Sequence, residues 1–338
     1  MKAAFLETTG APDVIRFGDL PKPEPRDGEV LVRVAAVAVN PIDLYIRAGS
    51  VAMPLPKPFI IGCDLAGKVE SVGPGCSRLK PGDRVWGSNQ GLLGRQGTFA
   101  EYAAVAEDWL YPTPEGVSDT SVAAVALVGI TAHLGLFRDA MLQSGETVFV
   151  NGGTGGVGAM VVQMTKAVGA SVITTVGSAD KAKQCRDWSA DCVLNYKTDD
   201  VAAGVRSFCR SRGLHGWYDL VHVWYETQRE PDFERTIDLM AQRGRIIVIA
   251  GRQARPVFPV GPFYVKGLSL HGFAMFNATA AEQRPAADDI NRWLAEGKLK
   301  PPIGRTFPLS EAAAAHRLLE ENTLGKAGTL TGKVVLTV

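Results

Sequence analysis

Asn151-Gly152-Gly153-Thr154-Gly155-Gly156-Val157-Gly158 follows directly on Thr147-Val148-Phe149-Val150 and opens into an amphipathic run. A strand that ends in a glycine-rich turn and enters a helix builds an anion site from backbone N–H groups and the helix dipole. Gly153, Gly155 and Gly158 fit the G-x-G-x-x-G pattern of dinucleotide-binding loops. That pattern is weak alone, and its surroundings carry the reading. Val157, Met160, Val161, Met164 and Val168 recur at helical spacing, Gly169 ends the run, and Ser171–Val176 is a second β-branched strand. Together these make a βαβ unit. The alternative is a tight glycine turn with no ligand.

Outward from this unit, strands alternate with helical patterns. An Ala/Val/Leu-rich helix is predicted near Ala123–Phe137, with strands at Cys192–Tyr196, Tyr218–Val223, Arg245–Ala250 and Leu268–Phe273. Lys181–Trp188 and Asp232–Ala241 read as helices between them. The alternation predicts an α/β domain with a doubly wound parallel sheet. Residues 1–120 differ. Glu29–Val39, Cys63–Val72, Asp83–Trp86 and Thr98–Val105 are candidate strands punctuated by Gly and Pro, with antiparallel or barrel-like character. The tail holds helices near Ala286–Ala295 and Glu311–Glu320, the latter with Ser310 as its cap, and a last strand Lys333–Val338. The simplest assembly inserts residues 124–275 as a nucleotide domain between residues 1–123 and 276–338, with the active site between the domains.

The 338 residues suffice for two domains, and 36 Lys plus Arg balance 35 Asp plus Glu. No field of one sign points to nucleic acid or to a membrane surface. The segment Met1–Glu7 is too poor in apolar residues for a signal peptide, and no apolar run is expected to approach a membrane span. Five scattered cysteines without a C-x-x-C pair read as reduced thiols, which favours a cytoplasmic protein.

Several motifs in order then resemble one family. Asn40-Pro41-Ile42-Asp43-Leu44-Tyr45-Ile46-Arg47-Ala48-Gly49 is followed by Gly62-Cys63-Asp64-Leu65-Ala66-Gly67 and by Lys80-Pro81-Gly82-Asp83-Arg84-Val85. Gly97–Tyr102, Ile130-Thr131-Ala132, the glycine turn and Gly332–Leu336 complete the series. The chain resembles the medium-chain dehydrogenase/reductase superfamily, and within it the zinc-free quinone oxidoreductase, or zeta-crystallin-like, branch. The resemblance implies a Rossmann domain inserted in a β-rich, GroES-like catalytic domain, and an association into homodimers. The strand Leu268–Phe273, at the end of the nucleotide-domain sheet, is the expected dimer edge.

An NAD site usually has a carboxylate at the end of its second strand, and here Gly177 stands there, followed by Ser178, Ala179, Asp180 and Lys181. Gly177 leaves room for a 2′-phosphate, which Ser178 and Lys181 can bind. The resemblance adds Tyr196 at the end of the third strand. The expected cofactor is therefore NADPH, with Asp180 as the counter-argument. The glycine-turn contacts expected are Gly153, Gly155, Gly156 and Val157. Asn40, Thr131, Ala250 and Gly251 are further expected cofactor contacts, with Thr131 opening a helix in the cleft.

Zinc relatives in the superfamily carry Cys at the position of Asn40 and His-Glu at Cys63-Asp64, so no metal is expected here. Without a Lewis acid the easiest hydride acceptors are electron-poor: a quinone or an alkene conjugated to a carbonyl. The resemblance places Asn40 and Tyr45 near the nicotinamide, where either would donate to the oxygen that gains charge. Tyr45 is also readable as a pocket wall. Ser50-Val51-Ala52 stands where related quinone reductases often have a second tyrosine, and Trp224-Tyr225 where relatives have small residues. These aromatics are expected to crowd or cap the cofactor cleft. The competing readings are a metal-free carbonyl reductase or alcohol dehydrogenase, and a non-enzymatic NADPH-binding protein.

Overall fold

The computed structural model describes residues 1–213, 220–325 and 327–338. The expected strand start at Tyr218, and His215, lie outside the described residues. The chain divides into two compact units: Met1–Val128 with Ala278–Glu296 and Pro301–Val338, and Gly129–Asn277 with Gly297–Lys300. The borders fall near residues 128 and 277 rather than 123 and 275, because the helix Asp119–His133 spans the first of them.

The second unit is built on six parallel strands. Their spatial order is Cys192–Asn195, Ser171–Val176, Thr147–Val150, Val221–Glu226, Met240–Val248 and Ser269–Gly272. Numbered along the chain this is 3-2-1-4-5-6, the doubly wound dinucleotide order with its reversal beside the first strand. Every residue of Thr147–Val150 and Ser171–Val176 is buried, which accounts for their unbroken β-branched and apolar character. The helix Gly156–Ala167 buries Met160, Val161 and Met164. Cys192–Asn195 and Ser269–Gly272 are the two edges.

Trp224 and Tyr225 do not line a cleft. Adjacent strand residues point to opposite faces of the sheet, and both side chains are fully buried. The Trp224 ring stacks on Phe149 at 3.8 Å between centroids, and Tyr225 Oη donates to the Thr131 carbonyl at 2.7 Å. Their bulk fills the interior of the unit.

The first unit has a seven-stranded sheet. Its path is Ile303–Pro308, Lys333–Thr337, Glu29–Val39, Leu65–Val72, Arg84–Gly87 and Leu110–Pro112, and Tyr102–Ala106 also pairs with Glu29–Val39. All pairs are antiparallel except the first. The strand Ile303–Pro308 had no signal in the sequence: nearly all of it is exposed, so no alternation marks it. A smaller sheet joins Arg16–Asp19, Lys2–Leu6 and Phe59–Ile60.

Three local expectations change. The tail helix starts at Ala280, not Ala286. Thr279 and Glu282 form a reciprocal cap, and the helix continues through Pro285. The last helix begins at Ala312 after a tight turn Leu309–Glu311, so Ser310 is not its cap. Asp119–His133 continues into a π-helical stretch Leu134–Asp139, and these 21 residues are long and apolar enough to cross a membrane. Their most apolar window is 78% buried within the protein, as befits a core helix.

Candidate active site

The glycine turn is held from beneath by a buried polar cluster that the sequence did not reveal. Asn151 Nδ2 donates to both Glu226 oxygens at 3.2 Å, and Thr175 Oγ1 donates to Asn151 Oδ1 at 3.3 Å. The Gly152 N–H donates to Thr175 Oγ1 at 3.2 Å. Glu226 also accepts from Trp224 Nε1 at 3.1 Å and from the Gln228 N–H at 2.8 Å. Burial pushes the Glu226 carboxyl above its ordinary range, while these donors hold it down. The cluster thus joins the ends of the first, second and fourth strands under the turn. A glutamate closing the apolar strand Val221–Glu226 was the available signal.

Gly158 is required by close packing: a β-carbon there would lie 2.3 Å from the Gly152 carbonyl oxygen. Gly155 caps the helix, and Gly156 and Val157 are in its first turn, where backbone N–H groups have no partner within the helix. Gly153 donates its N–H to the Thr175 carbonyl at 3.1 Å. Ala250 and Gly251 follow the strand Met240–Val248, where the Ile249 N–H donates to the Glu226 carbonyl at 3.4 Å.

At the end of the second strand a β-carbon on Gly177 would lie 2.4 Å from Tyr196 Oη. The Tyr196 ring lies across that glycine and is 57% exposed. Ser178 caps the helix Ala179–Asp187, its Oγ accepting the Lys181 N–H at 3.4 Å. The Lys181 ammonium is held below its ordinary value, first by burial and then by the charge of Lys197. Lys197 went unnoticed in the sequence. Two ammonium groups repel each other here beside a hydroxyl and a phenol, an arrangement suited to an anion of high charge. Asp180 is exposed on the first turn of its helix.

Thr131 does not open a helix. It lies in the last turn of Asp119–His133 and is almost fully buried.

In the first unit, Asn40 caps the helix Pro41–Arg47, which carries a half-buried Tyr45. The Asn40 amide is fully buried and already engaged. Its Nδ2 donates to Asp64 Oδ2 at 2.7 Å and to the Ala38 carbonyl at 3.3 Å. Lys333 Nζ donates to Asn40 Oδ1 and, at 2.9 Å, to the Val39 carbonyl. Both amide hydrogens are therefore engaged inside the unit. Ser88 Oγ and the Leu127 N–H complete Asp64, bonding Oδ1 at 2.7 and 3.1 Å. Asp43 Oδ2 accepts the Asn40 N–H at 2.7 Å. Burial, aided by the Asp64 charge, pushes Asp43 up to about 7. Burial also raises Asp64, pushes the Cys63 thiol far up and holds Lys333 down.

These residues do not fit a catalytic zinc, which takes three protein ligands and keeps an open position. Asn40 points an N–H group at Asp64, and both Asp64 oxygens are occupied. Among the described residues, no three of His, Cys, Asp or Glu converge to hold a metal.

A parallel dinucleotide sheet and a GroES-like unit in one chain define a class of dehydrogenases and reductases. Residues 26–115 match the family model described as alcohol dehydrogenase GroES-like domain, and residues 156–292 match the one described as zinc-binding dehydrogenase. Human quinone oxidoreductase is 31% identical over 337 residues, 99% of this chain and 97% of that protein. A solved structure described as an NAD-dependent alcohol dehydrogenase has a TM-score of 0.87 and 33% identity, with both chains fully covered. The Escherichia coli quinone oxidoreductase solved with NADPH has a TM-score of 0.83 and 26% identity, again over the whole of both chains. The chain belongs to the medium-chain dehydrogenase/reductase superfamily, close to its zinc-independent quinone oxidoreductases.

Proposed function

We propose that the protein is an NADPH-dependent, zinc-independent reductase that passes hydride to a quinone or to an alkene conjugated to a carbonyl. The observation that carries the cofactor choice is the group Gly177, Ser178, Lys181, Tyr196 and Lys197, which offers positive charge and hydrogen-bond donors and no carboxylate at the strand end. A second support is the NADPH complex of the Escherichia coli quinone oxidoreductase.

NADPH supplies the hydride when bound. The protein's own contribution is binding, orientation and a donor. The glycine turn and the first turn of Gly156–Ala167 receive the pyrophosphate, and Lys181, Lys197, Ser178 and Tyr196 receive the 2′-phosphate. Tyr45 donates its hydroxyl hydrogen to the acceptor oxygen as that oxygen gains charge. Asn40 positions Tyr45: its amide is locked to Asp64 and Lys333, so the helix Pro41–Arg47 starts from a fixed point.

The test is NADPH oxidation by purified protein against quinones, enones, acrylate derivatives and ketones. Turnover of quinones or enones supports the proposal. Exclusive turnover of ketones supports the second reading, a metal-free carbonyl reductase, which the alcohol dehydrogenase neighbour favours. Tight NADPH binding without turnover of any acceptor leaves a binding protein.

We also propose a homodimer paired through the edge strand Ser269–Gly272. Val257, Val260, Tyr264 and Val265 are each more than half exposed in the segment that leads to this edge. An apolar edge of this kind is protected by pairing with a second copy.

A further inference from the structure

The polar cluster beneath the glycine turn has a direction. Glu226 is buried at the end of the fourth strand, and each of its oxygens accepts two donors. Oε1 takes the Asn151 amide at 3.2 Å and the Gln228 N–H at 2.8 Å. Oε2 takes the Asn151 amide at 3.2 Å and Trp224 Nε1 at 3.1 Å. With Nδ2 turned to Glu226, Asn151 presents Oδ1 to Thr175 Oγ1, which donates to it at 3.3 Å. The Thr175 hydroxyl then turns a lone pair to the Gly152 N–H at 3.2 Å. Gly152 has φ 64°, which glycine adopts freely. Its carbonyl accepts the N–H of Gly155, the helix cap, at 2.9 Å, and Gly158 in the first turn packs on the same oxygen. Thr227, next to Glu226, donates to the Asn151 carbonyl at 3.0 Å. An unbroken line of hydrogen bonds runs from Glu226 to the N-terminus of the helix Gly156–Ala167.

Two features single out Glu226. On charge alone, a carboxylate beneath an anion-binding turn is unfavourable, since it repels a pyrophosphate. Its geometry admits only acceptors. An N–H in place of Oε1 would face the Gln228 N–H, and one in place of Oε2 would face Trp224 Nε1. A glutamine amide there meets a donor whichever way it turns, and a buried donor set against a donor is costly.

We propose that Glu226 is a positioning residue for cofactor binding. It acts through hydrogen-bond polarity rather than charge. It fixes the direction of the Asn151 amide and the Thr175 hydroxyl, and through Gly152 it sets the place of the helix N-terminus that receives the pyrophosphate. This rests on the reading of the glycine turn as the pyrophosphate site.

The experiment measures dissociation constants for NADPH and for adenosine 2′-monophosphate, which carries the 2′-phosphate but no pyrophosphate. The proteins are wild type, Glu226→Gln, Glu226→Gln with Trp224→Phe, and Thr175→Val. Binding is read well below the lowest Tm of the set, so that unfolding does not enter. Glu226→Gln should weaken NADPH roughly 10- to 100-fold, as a buried donor facing a donor does, and leave adenosine 2′-monophosphate unchanged. Trp224→Phe removes the opposing N–H, so the double variant should regain most of the lost NADPH affinity. Thr175→Val cuts the line between Asn151 and Gly152 with the carboxylate intact. It should show the same selective loss, and it carries the test if Glu226→Gln does not fold. NADPH affinity unchanged or raised in Glu226→Gln, as charge alone predicts, would overturn the role. So would an equal loss of both ligands, a double variant no better than the single, or wild-type NADPH affinity in Thr175→Val. A wild-type protein that binds neither ligand, or both equally well, would overturn the pyrophosphate reading of the turn, and this role with it.

Discussion

In the proposed reading the cofactor preference turns on Lys181. A charge-assisted bond to a phosphate is worth about 1.5–3 kcal/mol. Lys181→Ala should therefore raise KM for NADPH roughly 10- to 100-fold while changing KM for NADH little, as steady-state kinetics with both cofactors will show. In the same proposal Tyr45 acts later, on the oxygen that gains charge. Tyr45→Phe should lower kcat more than it changes KM, by less than the roughly 2.7–4 kcal/mol of an ideal oxyanion donor, because water can replace the hydroxyl. Full kcat in that variant would make Tyr45 a pocket wall. The positions of Gly177 just past the second strand and Lys181 in the next helix were legible because a βαβ unit is local and its strand ends can be counted. Lys197 was not, since only the fold brings its charge to bear on Lys181. Nor was the engagement of the Asn40 amide. Its partners Asp64 and Lys333 are distant in sequence, and nothing near Asn40 shows that its amide is already occupied.

Two elements should report their buried groups through pH. Asp43, on the helix Pro41–Arg47, is raised from 3.8 to about 7 by burial and then by the Asp64 charge, with Cys63 and Lys333 close by. A raised carboxyl binds a proton in the folded protein that the unfolded chain has released. Its stabilising contribution is complete below 3.8 and disappears as pH rises through about 7. Asp43→Asn should flatten that fall in Tm; an unchanged slope would place the proton elsewhere in the cluster. His316, on the helix Ala312–Thr323, has the opposite sign. Burial, then the Arg47 charge, lowers it from 6.5 to about 3. Its contribution is complete above 6.5 and lost as pH falls toward about 3. His316→Leu keeps an apolar side chain near Phe99 and should remove the acid-side loss of Tm. At this scale periodicity served well for the buried strands and failed for Ile303–Pro308, whose exposed faces leave no pattern. The reciprocal cap Thr279–Glu282 was readable in the sequence, but Pro285 drew the helix start past it.

In the molecule as a whole, the sheet order 3-2-1-4-5-6 puts Ser269–Gly272 at an edge, with exposed Val260 and Tyr264 on the helix Val260–Val265 before it. Light scattering at micromolar concentration should give a dimer. Val260→Asp with Tyr264→Glu should give a monomer that still binds NADPH. A monomeric wild type would refute the pairing. The central claim is a zinc-independent, NADPH-selective reductase, and it meets one measurement directly: kcat/KM for quinone reduction by chelator-treated enzyme, with NADPH and with NADH, alongside metal analysis. The account predicts undiminished turnover with less than stoichiometric metal, and NADPH preferred roughly 10- to 100-fold, the worth of one charged phosphate contact. Equal efficiency with both cofactors, or activity lost on chelation and restored by zinc, would contradict it.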